Sequence, residues 1–362
     1  MRETEFAIVG AGPAGLSAAI EAARAGVQVV LIDENEKPGG QLFKQIHKFF
    51  GSKEHYAGVR GIDIGAQLLR EVETLGVHVL LNSVVWGIFS NHTLGIIREG
   101  KNWQLTAQKI LIATGASENA LAFPGWTLPG VMGAGAIQTL VNIHRLLPGR
   151  RILMVGSGNV GLIVSYQLLQ AGAKVVAVLE AMPKVGGYGV HASKIRRHGV
   201  PILTSTTIKE ARGKEKVEEA VSIGLDESWH EIPGTEKVYQ VDCICLALGL
   251  TPLSELAWMA GCKFDYVPQL GGHIPVHNEN METTVPGIYI AGDVSGIEEA
   301  STAMEEGKLA GIAVAEALGY LSVEEAACKK EQILNRLDEL RSGPFGGARK
   351  QGKERLNQRC SQ

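Results

Sequence analysis

Apolar and polar positions near the start of the chain follow two different periods, and the switch between them marks the elements. "EFAIV" (residues 5–9) is a short, almost continuous apolar run, as expected of a strand buried on both faces. "PAGLSAAIEAARAG" (13–26) moves to helical spacing with alanines on its packing side, and "VQVVLID" (27–33) returns to an apolar run that ends in acid. Residues 5–33 therefore predict strand, glycine turn, helix and strand. The same alternation recurs at residues 150–180, "RRILMVGSGNVGLIVSYQLLQAGAKVVAVLE". Further buried strands are predicted at "KILIATGA" (109–116) and "CICLALGL" (243–250). Another, in "VPGIYIAGDVSG" (285–296), passes through a Gly-Asp turn into a long helix that opens near Ala300, Ser301 and Thr302.

The glycines give these units their chemistry. Gly10 permits a tight turn, Gly12 lets the backbone approach a pyrophosphate, and Gly15 lets the helix lie close to the strand, with Pro13 and Ala14 in its first turn. The helix start then offers its unpaired N–H groups to phosphate. Asp33, followed by Glu34, ends the second strand where a carboxylate can accept from ribose hydroxyls. Gly156, Gly158 and Gly161, with Asn159 and Val160 between them, repeat the turn. Counted from the glycines, however, the acid Glu180 comes one residue late, with Leu179 opposite Asp33. Strand residues alternate faces, so the displacement can aim Glu180 away from a nucleotide. No arginine pair follows the second strand, which favours NAD(H) over its 2′-phosphorylated form; ATP remains open.

Composition leaves room for both folds. The chain has 362 residues, 45% of them hydrophobic, enough for two or three domains with cores of their own. Its 45 glycines exceed the roughly 25 expected from average usage. A formal charge of −3 argues against a nucleic-acid partner. Five cysteines without paired spacing suit a reducing compartment, and with no signal peptide or membrane-length apolar run they predict a cytoplasmic protein without a transmembrane segment.

With these motifs the chain resembles the two-dinucleotide-domain flavoproteins of the pyridine nucleotide-disulfide oxidoreductase superfamily. The resemblance implies FAD at the first glycine turn. It also implies an Ala113-Thr114-Gly115 turn returning the chain to the FAD domain, an equivalent exit at Gly249, and Gly292 with Asp293 beside the flavin ribityl chain. It further implies flavin contacts by Gly40, Gln41 and Leu42 of "GGQL", and a nucleotide contact at Val84. The fold class expected is α/β: two Rossmann-like three-layer dinucleotide-binding domains, the second inserted in the first. Its boundaries are 1–120 and 249–325 for the FAD domain, 121–248 for the inserted nucleotide domain, and 326–362 for a C-terminal helix and basic glycine-containing tail.

No Cys-x-x-Cys occupies either place where disulfide reductases of the superfamily carry one, so a dithiol relay is not expected. Cys243 and Cys245 read as small core residues of one strand face, and Cys262, Cys328 and Cys360 have no partner spacing. No metal-ligand cluster, triad or carboxylate pair stands out, and no catalytic residue is named. Lys44 and His47 fit one side of a short helix, more in keeping with surface than with flavin. Within the superfamily the wording resembles nucleotide-binding subunits of amine and imino-acid dehydrogenases. That implies a second flavoprotein subunit that oxidises an amine or imino acid, with a small iron–sulfur protein as a further partner.

The segment from 341 carries six basic residues (Arg341, Arg349, Lys350, Lys353, Arg355, Arg359) against Glu354 alone, and reads as a solvated tail or else a partner strap. Trp258, Met259, Phe264 and Tyr266 read as local core or else as partner surface. Three functions remain: one subunit of a dehydrogenase complex, a free-standing NAD(P)H:acceptor flavoenzyme, and a nucleotide-filled structural subunit.

Overall fold

Each glycine-punctuated repeat builds a parallel sheet of its own. The computed structural model describes residues 3–343 and 346–360 and divides into two units, Met1–Ser117 with Thr251–Gln362, and Glu118–Leu250.

The first unit begins with β1 (Glu3–Val9), α1 (Pro13–Arg24), β2 (Val29–Ile32), α2 (Gly61–Thr74), β3 (His78–Leu80), β4 (Ser83–Phe89), β5 (Thr93–Arg98) and β6 (Lys101–Ile112), followed by β7 (Ala116–Glu118) at the crossing. The second unit comprises β8 (Val131–Gly133), α3 (Ala134–Gln138), β9 (Arg151–Val155), α4 (Asn159–Gln170), β10 (Lys174–Leu179), α5 (Gly189–Arg197), β11 (Ile202–Leu203), β12 (Thr206–Arg212), β13 (Glu219–Gly224), β14 (Lys237–Gln240) and β15 (Cys243–Leu246). After β16 (Leu250–Pro252) the chain completes the first unit with α6 (Glu255–Met259), β17 (Phe264–Val267), β18 (Gly272–Pro275), β19 (Ile288–Ile290), α7 (Ala300–Ala317), α8 (Val323–Leu340) and α9 (Gly347–Cys360).

In the first unit the parallel order is β3-β2-β1-β6-β19. Strand β6 joins the two halves of one seven-stranded mixed sheet: Thr106–Ile112 pair in parallel with β1, whereas Lys101–Thr106 pair antiparallel with β5, which in turn pairs with β4. Buried apolar runs follow from this layering. Phe6 and Ile8 face a core shared with α1, α2, α7 and α8, while Ala7 and Val9 face one shared with β5 and α6. The second unit repeats the plan with parallel order β11-β10-β9-β15-β8 and an antiparallel β12-β13-β14 sheet. Cys243 and Cys245 are fully buried in its helix-side core, and burial pushes the Cys243 thiol up to about 12.

Two readings of the sequence are corrected here. The basic terminal segment is not a solvated tail in its described part. Helix α9 buries Leu356 against Val267, Leu270, Ile274 and Val276, and α8 is fixed by a Ser322–Glu325 capping box. Residues 344–345 and 361–362 of that segment lie outside the described residues. The aromatic cluster is not core either: Trp258, Met259 and Tyr266 are each more than half exposed, and only Phe264, stacked under Trp258 at 3.6 Å, is partly covered. A five-residue α6 is too short to bury both of its faces.

Candidate nucleotide sites

At the C-terminal end of β1 the chain turns at Gly10, whose φ of +106° is left-handed and strained for any side chain. A Cβ there meets the Ala113 carbonyl oxygen at 2.2 Å, so the turn after β1 and the Ala113–Gly115 turn after β6 touch backbone to backbone. Gly15 is equally constrained, since its Cβ would lie 1.9 Å from the Gly10 carbonyl oxygen. Gly12 is different. It has an ordinary φ of −76° as the N-cap of α1, and an added Cβ meets only the Gly40 Cα, at 4.0 Å. Two of the three glycines are therefore required by the fold, and the middle one keeps a space open at the helix start.

Three segments close around that space. The Asp33 carboxylate accepts from the Ala11 N–H at 2.6 Å and from the Asn35 N–H at 2.8 Å. The loop at Gly39 and Gly40, both with positive φ, lies against Gly12 and donates the Gly39 N–H to the Ala11 carbonyl at 2.7 Å. From the other side α7 packs on α1 through Gly307 and Gly311, where a Cβ would strike the carbonyl oxygens of Ala14 and Ala18 at 2.1 and 2.5 Å. This close approach belongs to the same layer as the Gly292–Asp293 turn: a Cβ on Gly292 would meet the Ala14 Cβ at 3.0 Å. Ser301 and Thr302 are buried in the first turn of α7, with Ala300 partly exposed.

The remaining expected residues fall as follows. Glu34 and Gln41 are exposed, and Leu42 is buried in the core, with its Cβ 3.4 Å from where a Cβ on Gly65 would sit. Val84 is exposed at the start of β4, one residue after Ser83, which donates its N–H to the Asp33 carbonyl at 2.9 Å. The Thr114 hydroxyl is already committed to the Leu253 carbonyl at 2.6 Å. Lys44 ends the short 3-10 turn Gly40–Lys44, but His47 lies beyond it, stacked on Phe49, so the two do not share a helix face.

The second unit reproduces this geometry. A Cβ on Gly156 (φ +105°) would meet the Ala247 carbonyl oxygen at 2.2 Å, and one on Gly161 the Gly156 carbonyl oxygen at 2.2 Å. Gly158 (φ −64°), the N-cap of α4, has nothing within 4 Å of an added Cβ. Asn159, Val160 and Gly161 form the first turn of α4, and Gly249 (φ +91°) sits where Gly115 does in the first unit, two residues after the alanine that touches the glycine turn. Glu180 reaches its turn as well. Despite its displacement in sequence, its carboxylate accepts from the Ser157 N–H and Oγ at 2.9 and 2.5 Å and from the Met182 N–H at 2.9 Å, matching what Asp33 does for Ala11 and Asn35.

The cause is a register shift in β10. Ile152 pairs with Val175 but Leu153 pairs with Ala177, so Val176 is bulged out and absorbs the extra residue. Beyond the bulge Val155 faces Leu179 as Val9 faces Ile32, and each acid follows its strand at the same height. The sequence reading also missed Gly186 and Gly187. Gly187 donates to the Ser157 carbonyl at 2.9 Å, and a Cβ on it would meet the Asn159 nitrogen at 3.0 Å, repeating the role of the 39–40 pair. "PGG" at 38–40 against "VGG" at 185–187 was the available signal.

Twin cradles of this kind, each with an open middle glycine and an acid bonded to the turn it faces, narrow the family to dinucleotide-binding enzymes. A model of the pyridine nucleotide-disulphide oxidoreductase family matches residues 4–307. The chain belongs to this family. This oxidoreductase is similar to one of the subunits of opine oxidase from Agrobacterium tumefaciens (strain Ach5), 28% identical over 89% of the chain and 67% of that protein. It is similar to the HcnB component of hydrogen cyanide synthase from Pseudomonas aeruginosa, 28% identical over 92% and 75%, and to the alpha subunit of sarcosine oxidase from Rhizobium meliloti (strain 1021), 26% identical over 90% and 32%. The chain thus spans about two thirds of the opine oxidase polypeptide and about a third of the sarcosine oxidase one.

Among solved structures the fold is shared with L-proline dehydrogenase from P. horikoshii (TM-score 0.69, 23% identity, 92% of this chain and 59% of that one). It is shared also with thioredoxin reductase from T. acidophilum (TM-score 0.72, 22% identity, 88% and 100%). The chain is an FAD-dependent oxidoreductase related to these oxidase subunits, and its family binds FAD, NAD(P) or both. Among the described residues no His, Cys, Asp or Glu cluster suits a metal, and no helix is long and apolar enough to cross a membrane.

Proposed function

We propose that this oxidoreductase is the FAD- and nucleotide-binding subunit of an amine- or imino-acid-oxidising complex. FAD is held by Gly10–Gly15, Asp33, the 39–41 loop, Ala113–Gly115 and Gly292–Asp293, and NAD(H) by Gly156–Gly161, Glu180 and Gly249. The observation that supports this most is the pair of open cradles at Gly12 and Gly158, each beside a carboxylate already oriented by the turn it faces. FAD in the first cradle would supply two-electron redox chemistry; the chain's own residues bind it and position the pyrophosphate at the α1 N-terminus.

Other features support a need for a partner. The described cysteines offer no dithiol: Cys243 and Cys245 are buried thiols in mid-strand, and Cys262 donates to the Thr283 hydroxyl at 3.3 Å. The relatives are themselves named as subunits. The partner we infer is a second flavoprotein that oxidises the amine.

The test uses two variants. Purified wild-type protein should carry one non-covalent FAD per chain and bleach on anaerobic NADH addition. Gly12→Val should fold but stay colourless, and Gly158→Val should stay yellow but no longer bleach. ATP titrated against NADH identifies the second ligand. Proline-, sarcosine- or opine-dependent dye reduction by the isolated chain would overturn its assignment to a complex; colourless wild-type protein that takes up no FAD would overturn the cofactor assignment.

A further inference from the structure

We propose that the C-terminal helix is a positioning element for the flavin, acting through Lys353 and Glu306 on the Gly292–Asp293 turn. The inference rests on the assignment of FAD to the first unit and goes beyond it, because none of the dinucleotide motifs includes the residues after Leu340.

The observation is a buried charge network. Glu306, on α7 and 2% exposed, accepts the Gly292 N–H at 3.0 Å on one carboxylate oxygen. Its other oxygen accepts from Lys353 Nζ and from the Arg341 guanidinium, each at 2.6 Å. Lys353, on α9 and 5% exposed, also donates to Ser295 Oγ at 2.7 Å, and Ser295 lies within the same 3-10 turn as Gly292 and Asp293. Arg341 is held in turn by a bidentate pair with Glu298. A lysine is almost never buried unless it is paired. Here its burial places a cation behind the one turn whose aspartate is expected to receive ribityl hydroxyls.

The electrostatics give this arrangement a readable consequence. Burial raises Asp293 to about 6, with Glu306 and Glu299 adding to the rise, while the Glu298 N–H and Lys353 oppose it. Burial alone would raise Glu306 as well, but Lys353 and Arg341 outweigh it and bring it down to about 2, so Glu306 stays ionised. His277, packed beside the same charges, is held neutral by burial and by Lys353, near 4. A polyol hydroxyl donates more strongly to a carboxylate than to its protonated form, because the bond to the ionised group is charge-assisted. FAD affinity should therefore rise with pH through the Asp293 transition and level off above it. Lys353 sets where that transition lies. Without it, Asp293 holds its proton to higher pH and the affinity curve moves the same way.

The experiment measures the FAD dissociation constant of full-length apoprotein by flavin fluorescence from pH 5 to 9, for wild type, Lys353→Met, Lys353→Gln and Lys353→Arg. Lys353→Gln keeps a donor toward Ser295 and Glu306 without the charge, so it carries the test even if the methionine variant fails to fold. The expected result is an affinity midpoint displaced upward in the neutral variants, with binding weakened about tenfold near pH 6 and converging on wild type above about pH 8. Lys353→Arg should restore the wild-type midpoint. Wild-type midpoint and affinity in both neutral variants would overturn the inference, as would weakening by one constant factor at every pH, since that is what a merely structural helix produces. Failure of the wild type to bind FAD at all would instead overturn the site assignment.

Discussion

At the residue scale the repeated glycines separate into two kinds that their spacing does not distinguish. Gly10 and Gly156 are fixed by positive φ and a carbonyl 2.2 Å from any Cβ, and Gly15 and Gly161 by a carbonyl at 1.9 to 2.2 Å. All four would resist substitution with or without a ligand. Gly12 and Gly158 have neither constraint, so under the proposed function it is the ligand that requires glycine there. Gly15→Ala should accordingly cost about 3 kcal/mol or more, since a strand-to-helix turn cannot retreat from its own backbone. Thermal denaturation of the apoprotein measures this, with Gly12→Val within about 1 kcal/mol of wild type as its control. An apoprotein in which both substitutions are equally harmless would refute the distinction.

At the element scale the site depends on features that periodicity cannot carry. The strands and helices of both repeats were legible because each is amphipathic or buried over its whole length. The bulge at Val176 was not, because one extra apolar residue inside "KVVAVL" looks like a longer strand. β2 brings Asp33 to its turn with no bulge, so a β10 shortened by its one extra residue would present Glu180 without one. Deleting Val176 should leave adenine-nucleotide affinity within about threefold of wild type. Glu180→Ala, which removes a charged hydrogen-bond acceptor worth about 1.5 to 3 kcal/mol, should weaken it tenfold or more. Calorimetric titration of both variants decides the matter; equal losses would mean that the bulge itself is part of the site.

Helix α9 was missed for a related reason. The segment from 341, with six cations, four glycines and scattered apolar residues, has no hydrophobic stripe, and what holds the helix is Leu356, the buried Lys353–Glu306 pair and the pairing of Arg355 and Arg359 with Asp265. Breaking one such buried pair costs about 3 to 5 kcal/mol, because the remaining charge stays buried.

At the scale of the whole molecule the first unit presents a group of exposed aromatic and apolar side chains, Trp86, Phe89, Trp258, Met259 and Tyr266. Trp86 and Phe89 meet edge to face at 5.1 Å, and the Met259 methyl lies 3.2 Å from where a Cβ on Gly87 would sit. Trp258 continues the surface to Phe264 and His273, and Tyr266 contacts His273 from the other side at 5.1 Å. Patches of this kind mark protein contacts. Aromatic residues at the centre of such contacts carry a large share of the binding energy. Under the proposed function, this is the surface we assign to docking an amine-oxidising flavoprotein. Trp258→Ser with Tyr266→Ser should lower co-purification of that flavoprotein by tenfold or more while leaving FAD content unchanged, and retention of the full complex would remove this surface from the assembly.

What the sequence determined by itself is the pair of dinucleotide folds, their order along the chain and the glycines and acid of the first cradle. These features are local: each β-α-β unit writes its own periods and its own turn within about thirty residues. Tertiary structure decided whatever depends on residues far apart in the chain. It decided that Glu180 faces its turn, because the neighbouring strand sets the register. It decided that Trp258 and Tyr266 are surface, because a five-residue helix cannot cover both of its sides and Tyr266 alternates outward between the buried Asp265 and Val267 of its strand. It brought Lys353 into contact with Glu306, 47 residues away. That buried ion pair draws its stability from low-dielectric surroundings supplied by α7, the Gly292–Ser295 turn and α9 together, and no single segment of sequence contains them.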